Sequence, residues 1–267
     1  MCRRVGSENH VSLTVRLLAR FPTLTAVVIA SALWEIVGRM NLTEFLPPLS
    51  EVIRSLGPMI ARGELQDNLR LSLVALAEGF GGAMVIGVGV GAVMGTNWRV
   101  KGILDPYVNA FLAAPSAAFV PLMVVFFGLG RGPVAATIFI FSCFVIVVNT
   151  ETGVRQVNRS VLDMANSFCA GRWLVFKRIL VPGALPLIMS GLRQGAGRSI
   201  KGLVVGEALI SLSGMGGALQ TYGGSFQVAP VYALILVLVV ISLLMTGALR
   251  YLEKRFSPRP LARQEQA

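Results

Sequence analysis

The chain contains 267 residues, of which 54% are hydrophobic and only 14% are charged, and its mean hydropathy is +0.71. Soluble globular domains carry about 25% charged residues, so this composition excludes an ordinary soluble protein and predicts an integral membrane protein. The net charge of +11 comes without a basic patch interleaved with aromatic residues, and it therefore favours membrane orientation over nucleic-acid binding.

Six apolar segments reach or approach the length of about 20 residues that a helix needs to cross the hydrocarbon core. They predict an all-α, polytopic membrane protein with six transmembrane helices. The basic residues before the first segment superficially resemble a secretory signal, but no small-residue cleavage site stands out, so we expect a retained first span. The segments cover about residues 24–37, 71–96, 106–129, 134–149, 185–210 and 231–251.

Basic residues are concentrated in alternate connections between these segments. Most of the 24 Lys and Arg residues lie in the two terminal tails, the second-to-third loop and the fourth-to-fifth loop, whereas the fifth-to-sixth loop has no charge. Translocation of basic residues close to a span is disfavoured. Both termini and the long fourth-to-fifth loop are therefore predicted to be cytoplasmic. The predicted regions are a basic tail (1–22), a first span with an external loop (23–64), a main transmembrane domain (65–250) and a C-terminal tail (251–267).

Glycines recur every four residues in two of the predicted spans, at Gly87, Gly91 and Gly95 in the second and at Gly202 and Gly206 in the fifth. Lipid chains are as apolar as leucine, so helices in a bilayer associate where small residues let their backbones approach. No strand is predicted before these glycines, as a phosphate-binding loop would require. We therefore interpret them as helix-packing positions.

The third span contains Pro115 and Pro121, with small residues such as Ser116 around them. Proline removes a backbone donor and kinks a helix, and within a bilayer the freed groups must face protein or water. The pattern predicts a broken helix. It is either a wall of a translocation route or a kink that serves only packing.

The loop at residues 151–182 is basic and amphipathic. Its first half has apolar residues at the i, i+3, i+4 and i+7 positions of a helix face, namely Val161, Met164, Ala165 and Phe168. A second short helix is predicted after a break at Ala170 and Gly171, and Pro182 is expected to stop it. Composition alone leaves two interpretations open, because such a pair of helices can lie on anionic lipid or dock on a soluble partner.

The same loop resembles the cytoplasmic EAA motif of the permease subunits of binding-protein-dependent ABC importers. That motif is Glu-Ala-Ala, three residues, Gly, nine residues, Ile, one residue, Leu, Pro. At this spacing Asp163 takes the Glu position, Met164 and Ala165 the two alanines, Cys169 the glycine, Ile179 the isoleucine, Val181 the leucine and Pro182 the proline. Cys169 departs from the family's glycine, and Gly171 is an alternative position for the turn.

Four further segments are similar to the branch of this family that imports nitrate, taurine, alkanesulfonates and related compounds. They are residues 114–122, 127–130, 182–186 and 204–207. The resemblance implies a type I ABC importer permease fold in the bacterial plasma (inner) membrane, with both a second permease copy, as a homodimer, and an extracytoplasmic solute-binding protein as partners. It also implies that the loop docks on a cytoplasmic ABC ATPase subunit, which binds the ATP. This chain has no Gly-x-x-x-x-Gly-Lys-Ser/Thr loop of its own.

The resemblance assigns ATPase coupling to one set of residues in the loop. The apolar face is expected to fill a groove on the partner, with polar contacts at its rim from Asp163 and Arg172. The expected coupling residues are Val161, Asp163, Met164, Ala165, Phe168, Cys169, Gly171, Arg172, Ile179 and Pro182.

Ionisable residues at membrane depth must face the bundle interior, water or a partner, because insertion scales give about 2.5 to 3.5 kcal/mol for Arg, Lys or Asp at the bilayer centre. Arg198 and Lys201 lie three residues apart on one face of the fifth span. They either form a positive patch that favours an anionic substrate or pair with Glu78 or Glu207. The candidate path residues are Pro115, Ser116, Pro121, Arg198, Lys201 and Glu207.

The function implied is that of the membrane subunit of an ATP-driven importer for a small anionic organic solute such as a sulfonate, taurine or nitrate. An alternative is a self-contained channel or proton-coupled carrier that uses Glu35, Glu78 and Glu207, although no inverted repeat is detectable. An enzyme is disfavoured, since His10 is the only histidine and the three cysteines have no metal-ligand spacing. We therefore expect no catalytic site, metal or bound cofactor on this chain.

Overall fold

The computed structural model describes residues 22–40, 45–210 and 213–256, and these ranges contain helices and no strand, which confirms the all-α prediction. Most of the predicted N-terminal tail (1–22) and the last part of the predicted C-terminal tail (251–267) lie outside the described residues, whereas residues 251–256 continue the last helix. A 3₁₀ turn, Ser116–Phe119, joins α4 to α5, and a π-helical turn, Phe176–Leu180, joins α8 to α9. The helices are α1 (Pro22–Arg39), α2 (Leu49–Ala61), α3 (Glu64–Thr96), α4 (Trp98–Ala113), α5 (Val120–Phe127), α6 (Arg131–Arg155), α7 (Arg159–Ser167), α8 (Arg172–Val175), α9 (Val181–Ile210), α10 (Gly214–Gly224) and α11 (Val228–Phe256).

Four stretches of helix are long and apolar enough to cross a bilayer: α3, α6, the continuous helix over Trp173–Ile210, and α11. The pair α4 and α5 provides a fifth crossing, bent by 100° at the 3₁₀ turn. The bend follows from Pro115, which disfavours helical geometry at the preceding residue, and Ala114 is extended with φ −68° and ψ 145°. The predicted break in the third span is confirmed. The first predicted span lies within the 18-residue α1, which is not among these five, so the sixth crossing stays a prediction.

Helix α6 is the centre of the bundle, because α3 packs on one side of it and α9 on the other. The glycines of α3 lie directly against α6. A Cβ added at Gly91 would lie 2.6 Å from the carbonyl oxygen of Val147, and one added at Gly95 would lie 2.6 Å from Cβ of Val154. On α9, a Cβ at Gly202 would lie 3.0 Å from Cβ of Phe141. The helix-packing interpretation of the glycines is confirmed.

Two short helices, α2 and α10, occupy regions that were predicted as loops. Helix α2 is anchored to α1, since the backbone N–H of Ser50 donates to Oε2 of Glu35 at 2.9 Å and the Ser50 hydroxyl donates to Oε1 at 2.9 Å. Arg39 pairs with the same carboxylate at 2.6 Å. Helix α10 is rich in glycine, the poorest helix former after proline, so its local sequence gives no helical pattern.

Candidate functional site

Helix α7 presents an apolar face to the surroundings. Val161, Met164 and Phe168 are 38%, 55% and 80% exposed, whereas Ala165 on the same helix is buried. We call Val161, Met164 and Phe168 the α7 face. Asp163 is exposed beside it. The structure therefore brings together the predicted coupling residues of the first helix, with Ala165 turned toward the protein rather than outward.

The turn after α7 is centred on Cys169. Its φ is +54°, in the left-handed region, and the N–H of Ala170 donates to the carbonyl of Ala165 at 3.0 Å. This six-residue bond defines a Schellman motif, in which the left-handed position is usually glycine. Gly171 is not among the described residues with positive φ, so the alternative of a turn moved to Gly171 is wrong. A cysteine occupies the position whose backbone favours glycine.

The second predicted helix does not stop at Pro182. It is the beginning of one continuous helix that runs through α8, the π turn and α9. The N–H of Val181 bonds to the carbonyl of Phe176, five residues back, and this wider turn directly precedes the proline, which lacks an N–H. A π turn lets the helix continue where an α-helical turn would lose a bond and clash. Arg172 begins this helix, and Ile179 lies half-buried within the π turn.

A cleft of about 460 Å³ separates this segment from the ends of α3 and α6. Trp173 lies nearby on α8, 72% exposed and stacked on Phe176 with ring centroids 5.8 Å apart. The cleft is lined by Met94, Gly95, Thr96, Trp98, Val154, Arg155, Val157, Leu162, Val175 and Leu180.

The predicted loop also starts too early, because α6 continues to Arg155 and includes Glu151. The Glu151 side chain is only 8% exposed and is paired with cations. Oε1 accepts from Nζ of Lys101 at 2.7 Å and lies 3.5 Å from Nη1 of Arg155. A buried carboxylate requires such partners, so Glu151 belongs to the packed end of α6 and not to the exposed part of the loop. Lys101 also lies 3.9 Å from Asp105.

A second region, a groove of about 600 Å³, unites three of the candidate path residues: Pro115, Ser116 and Lys201. Lys201 is the only charged residue among those that line it. Arg198 is exposed one helical turn earlier on α9 but does not line the groove, and neither does Pro121. The remaining lining residues are Ala117, Phe141, Ile200, Val204 and Val205.

Glu207 lies elsewhere, buried against the beginning of α10. Its Oε1 accepts from the Ser72 hydroxyl at 2.7 Å, and its Oε2 accepts from the N–H of Gly216 at 2.8 Å. The N–H of Met215 donates to Oγ of Ser72 at 2.9 Å, and the N–H of Gly214 donates to Asn68 at 2.9 Å. Three amides at the positive end of α10 are thus bound by side chains of α3 and α9.

The other end of α10 is also attached to α3. The hydroxyl of Tyr222 donates to Oε1 of Glu64 at 2.7 Å. Burial, together with this bond to a carboxylate, raises the pKa of the Tyr222 phenol. Helix α10 is therefore fixed at both ends, through residues that sequence spacing does not connect.

These contacts overturn the suggestion that Arg198 and Lys201 pair with Glu78 or Glu207. Glu78 pairs instead with Arg131 at 3.0 Å, and Glu207 with Ser72 and α10. Glu35 caps α2. The three carboxylates of the alternative carrier hypothesis thus have separate partners on different elements, which does not favour a relay among them.

Comparisons with known proteins agree with this architecture. A family model described as a binding-protein-dependent transport system inner membrane component matches residues 83–258. The taurine transport system permease protein TauC of Escherichia coli strain K12 is 32% identical over 250 residues, which cover 90% of this chain and 91% of TauC. SsuC of Bacillus subtilis strain 168, provisionally named an aliphatic sulfonates transport permease, is 29% identical over 240 residues, which cover 87% of this chain and 84% of SsuC.

The fold has a solved counterpart in the MetNI methionine ABC transporter in an inward-facing conformation. The TM-score is 0.60 at 19% identity, over 76% of this chain and 99% of that chain. This likeness concerns the fold, which is that of a type I ABC importer permease. The match over most of the chain, together with the apolar helices, shows a multi-pass inner-membrane protein that belongs to the family of binding-protein-dependent transport permeases, in the branch named for taurine and aliphatic sulfonates.

Proposed function

We propose that this chain is the permease of an ATP-driven importer and that the segment from α7 to the start of α9 couples it to a separate cytoplasmic ATPase. Both termini and this segment lie on the cytoplasmic side in this proposal, as the distribution of Lys and Arg requires. The observation that carries it is the α7 face: three apolar side chains are exposed on a short helix, although their neighbour Ala165 on the same face is packed against the protein.

The alternative occupant of the α7 face is a lipid surface. Asp163 distinguishes the two, because it is exposed on the same short helix as the α7 face. An anionic membrane surface repels a carboxylate, whereas a protein groove can pair it with a cation at its rim. The combination of an apolar face and an acidic neighbour therefore supports a protein partner.

Charge reversal at Asp163 tests this proposal. We expect Asp163→Lys and Phe168→Ser each to weaken copurification of the ATPase subunit at least about tenfold, since truncated anchor residues at interfaces cost about 2 kcal/mol or more. ATP hydrolysed per solute imported should rise in parallel. Asp67→Lys is the matched control, because Asp67 is an exposed carboxylate in the first turn at the opposite end of α3. Normal coupling in Asp163→Lys would contradict the proposal.

We further propose that the groove at Pro115, Ser116 and Lys201 forms part of the translocation path and favours an anionic solute. The support is chemical, since Lys201 is a single cation among apolar and small lining residues. The named solutes of the relatives, taurine and aliphatic sulfonates, carry a sulfonate group that a lysine ammonium can bind. A second copy of the chain would close the open side of this groove, and an extracytoplasmic binding protein would deliver the solute.

Transport assays with matched solutes test the role of Lys201. We expect Lys201→Ala to reduce uptake of a small sulfonate about tenfold or more while uptake of a neutral analogue changes little, and Lys201→Arg to retain sulfonate uptake. Arg198→Ala, one turn away and outside the groove, should have a smaller effect on the sulfonate. Equal losses for the charged and neutral solutes would rule out selection by charge.

A further inference from the structure

We propose that the ion pair between Lys101 and Glu151 transmits movement of the coupling segment to the broken helix α4. Lys101 and Glu151 would thus be positioning residues for transport. This inference rests on the proposed function, because it requires that the segment from α7 to α9 is moved by an ATPase. It goes further by naming the contact through which that movement reaches the wall of the groove.

The pair lies between the start of α4 and the end of α6, close to the beginning of the coupling segment. Glu151 is in the last two turns of α6, four residues before the end of the helix at Arg155, and α7 begins at residue 159. Its carboxylate is nearly enclosed and lies 2.7 Å from Nζ of Lys101. Arg155 lies 3.5 Å from the same oxygen, so two cations share one buried carboxylate. Loss of Lys101 would leave the buried carboxylate with only the longer contact to Arg155.

Lys101 is in the first turns of α4, the helix that precedes the turn at Pro115 and Ser116 in the groove. Only Asn97 separates α4 from α3, so the start of α4 is tethered to α3 by the chain and to α6 by this ion pair. The other end of α4 is the 100° bend that leads to Pro115 and Ser116 in the groove. Helix α4 has 16 residues, is about 24 Å long and contains Pro106. In this proposal, displacement of its first turn passes along α4 to the turn at Pro115 and Ser116.

Apolar residues from α4, α6 and α7 also come close together near this ion pair. Trp98 at the start of α4 lines one cleft together with Val154 near the end of α6 and Leu162 of α7. The start of α4 and α7 thus face the same cleft, and Lys101 holds the start of α4 against α6. The only polar connection between α4 and α6 among the described residues is this pair of side chains.

A coupling ratio measured in the complete importer, reconstituted in proteoliposomes with its ATPase and binding protein, tests the role of the pair. We expect Lys101→Met and Glu151→Gln each to lower solute imported per ATP hydrolysed at least fivefold while the ATPase subunit still copurifies. The double variant should be no worse than Glu151→Gln alone, because that variant already removes the ion pair with Lys101. Lys101→Arg should restore the ratio to within twofold of wild type.

The matched control is the exposed pair of Arg131 and Glu78, whose side chains are 56% and 45% exposed. Arg131→Met and Glu78→Gln should leave the coupling ratio unchanged, so a general loss of ion pairs cannot explain the result. If Asp163→Lys uncouples the importer but Lys101→Met and Glu151→Gln do not, the proposed link is wrong and the proposed function stands. If the wild-type complex shows no ATP-dependent uptake, the proposed function itself is wrong, and the link with it.

Discussion

At the scale of single residues, Cys169 is where this chain departs most clearly from its family's motif. The backbone there is left-handed, with φ +54°, and for a residue with a Cβ this conformation costs about 1 to 2 kcal/mol. The structure does not move the turn to Gly171 to avoid that cost, because the Schellman bond from Ala170 to Ala165 fixes which residue is left-handed. The motif's glycine position is thus kept without its glycine.

Cys169→Gly should therefore stabilise the turn. We expect about 1 kcal/mol of added local stability, seen as slower hydrogen exchange of the amides at 165–171, with coupling retained because the Cys169 side chain is exposed and is not required by the turn. Gly171→Ala is the control: its φ is not left-handed and a Cβ there meets nothing within 4 Å, so local stability should not change. If Gly171→Ala destabilised the turn and Cys169→Gly had no effect, the left-handed residue of the turn would be Gly171 and not Cys169.

Motif spacing predicted the turn to within two residues and correctly identified the exposed apolar positions of α7. The burial of Ala165 was not predictable, because Ala165 has the same helical spacing as its exposed neighbours. Periodicity shows which side chains share a face, but it does not show where the rest of the protein contacts that face. That choice depends on elements distant in the sequence.

At the scale of elements, the contact between α3 and α6 depends on the absence of side chains. Gly87, Gly91 and Gly95 repeat along α3, and at each of them an added Cβ would lie within about 3 Å of α6. In a bilayer such close van der Waals packing drives helix association, whereas in water hydrophobic burial drives it. These glycines stabilise the pairing of α3 with α6 because they let atoms of the two helices approach closely.

Gly91→Ala should destabilise the protein by about 1 to 3 kcal/mol, because the new methyl group overpacks a close helix contact. Thermal unfolding in detergent measures the effect. Gly89→Ala is the matched control on the same helix, where a Cβ meets nothing within 4 Å, and its melting temperature should equal or slightly exceed that of the wild type. Equal destabilisation by both variants would assign the effect to helix propensity and not to packing.

Two helical regions, the continuation past Pro182 and helix α10, were not predicted from the sequence. Pro182 is normally a helix stop, but a single π turn before it allows α8 and α9 to form one helix, and a π turn has no local sequence signature. Helix α10 was missed because glycine-rich sequence favours a loop. Its helix exists because Glu207, Ser72 and Asn68 satisfy its first amides. Local propensity was overridden in both cases by bonding partners.

At the scale of the whole molecule, apolar length and charge were sufficient to predict a helical membrane protein and to locate its main crossings. The groove and the ion pair were harder to predict, because their residues come from distant parts of the chain. Lys201 meets Pro115 and Ser116 in one groove, and Lys101 meets Glu151 across 50 residues. The spacing of Arg198 and Lys201 predicts one shared helical face, but only the packed bundle shows that Lys201 lines the groove and Arg198 does not.

The attachment of α10 also has a consequence for the order in which the bundle assembles. Ser72, which holds both Glu207 and the N–H of Met215, is separated from Glu207 by 135 residues of chain. The amides of Gly214 and Met215 have their partners, Asn68 and Ser72, on α3, so these bonds form only when α3 lies beside α9. We therefore expect the start of α10 to become fully hydrogen-bonded only after the two long helices have paired.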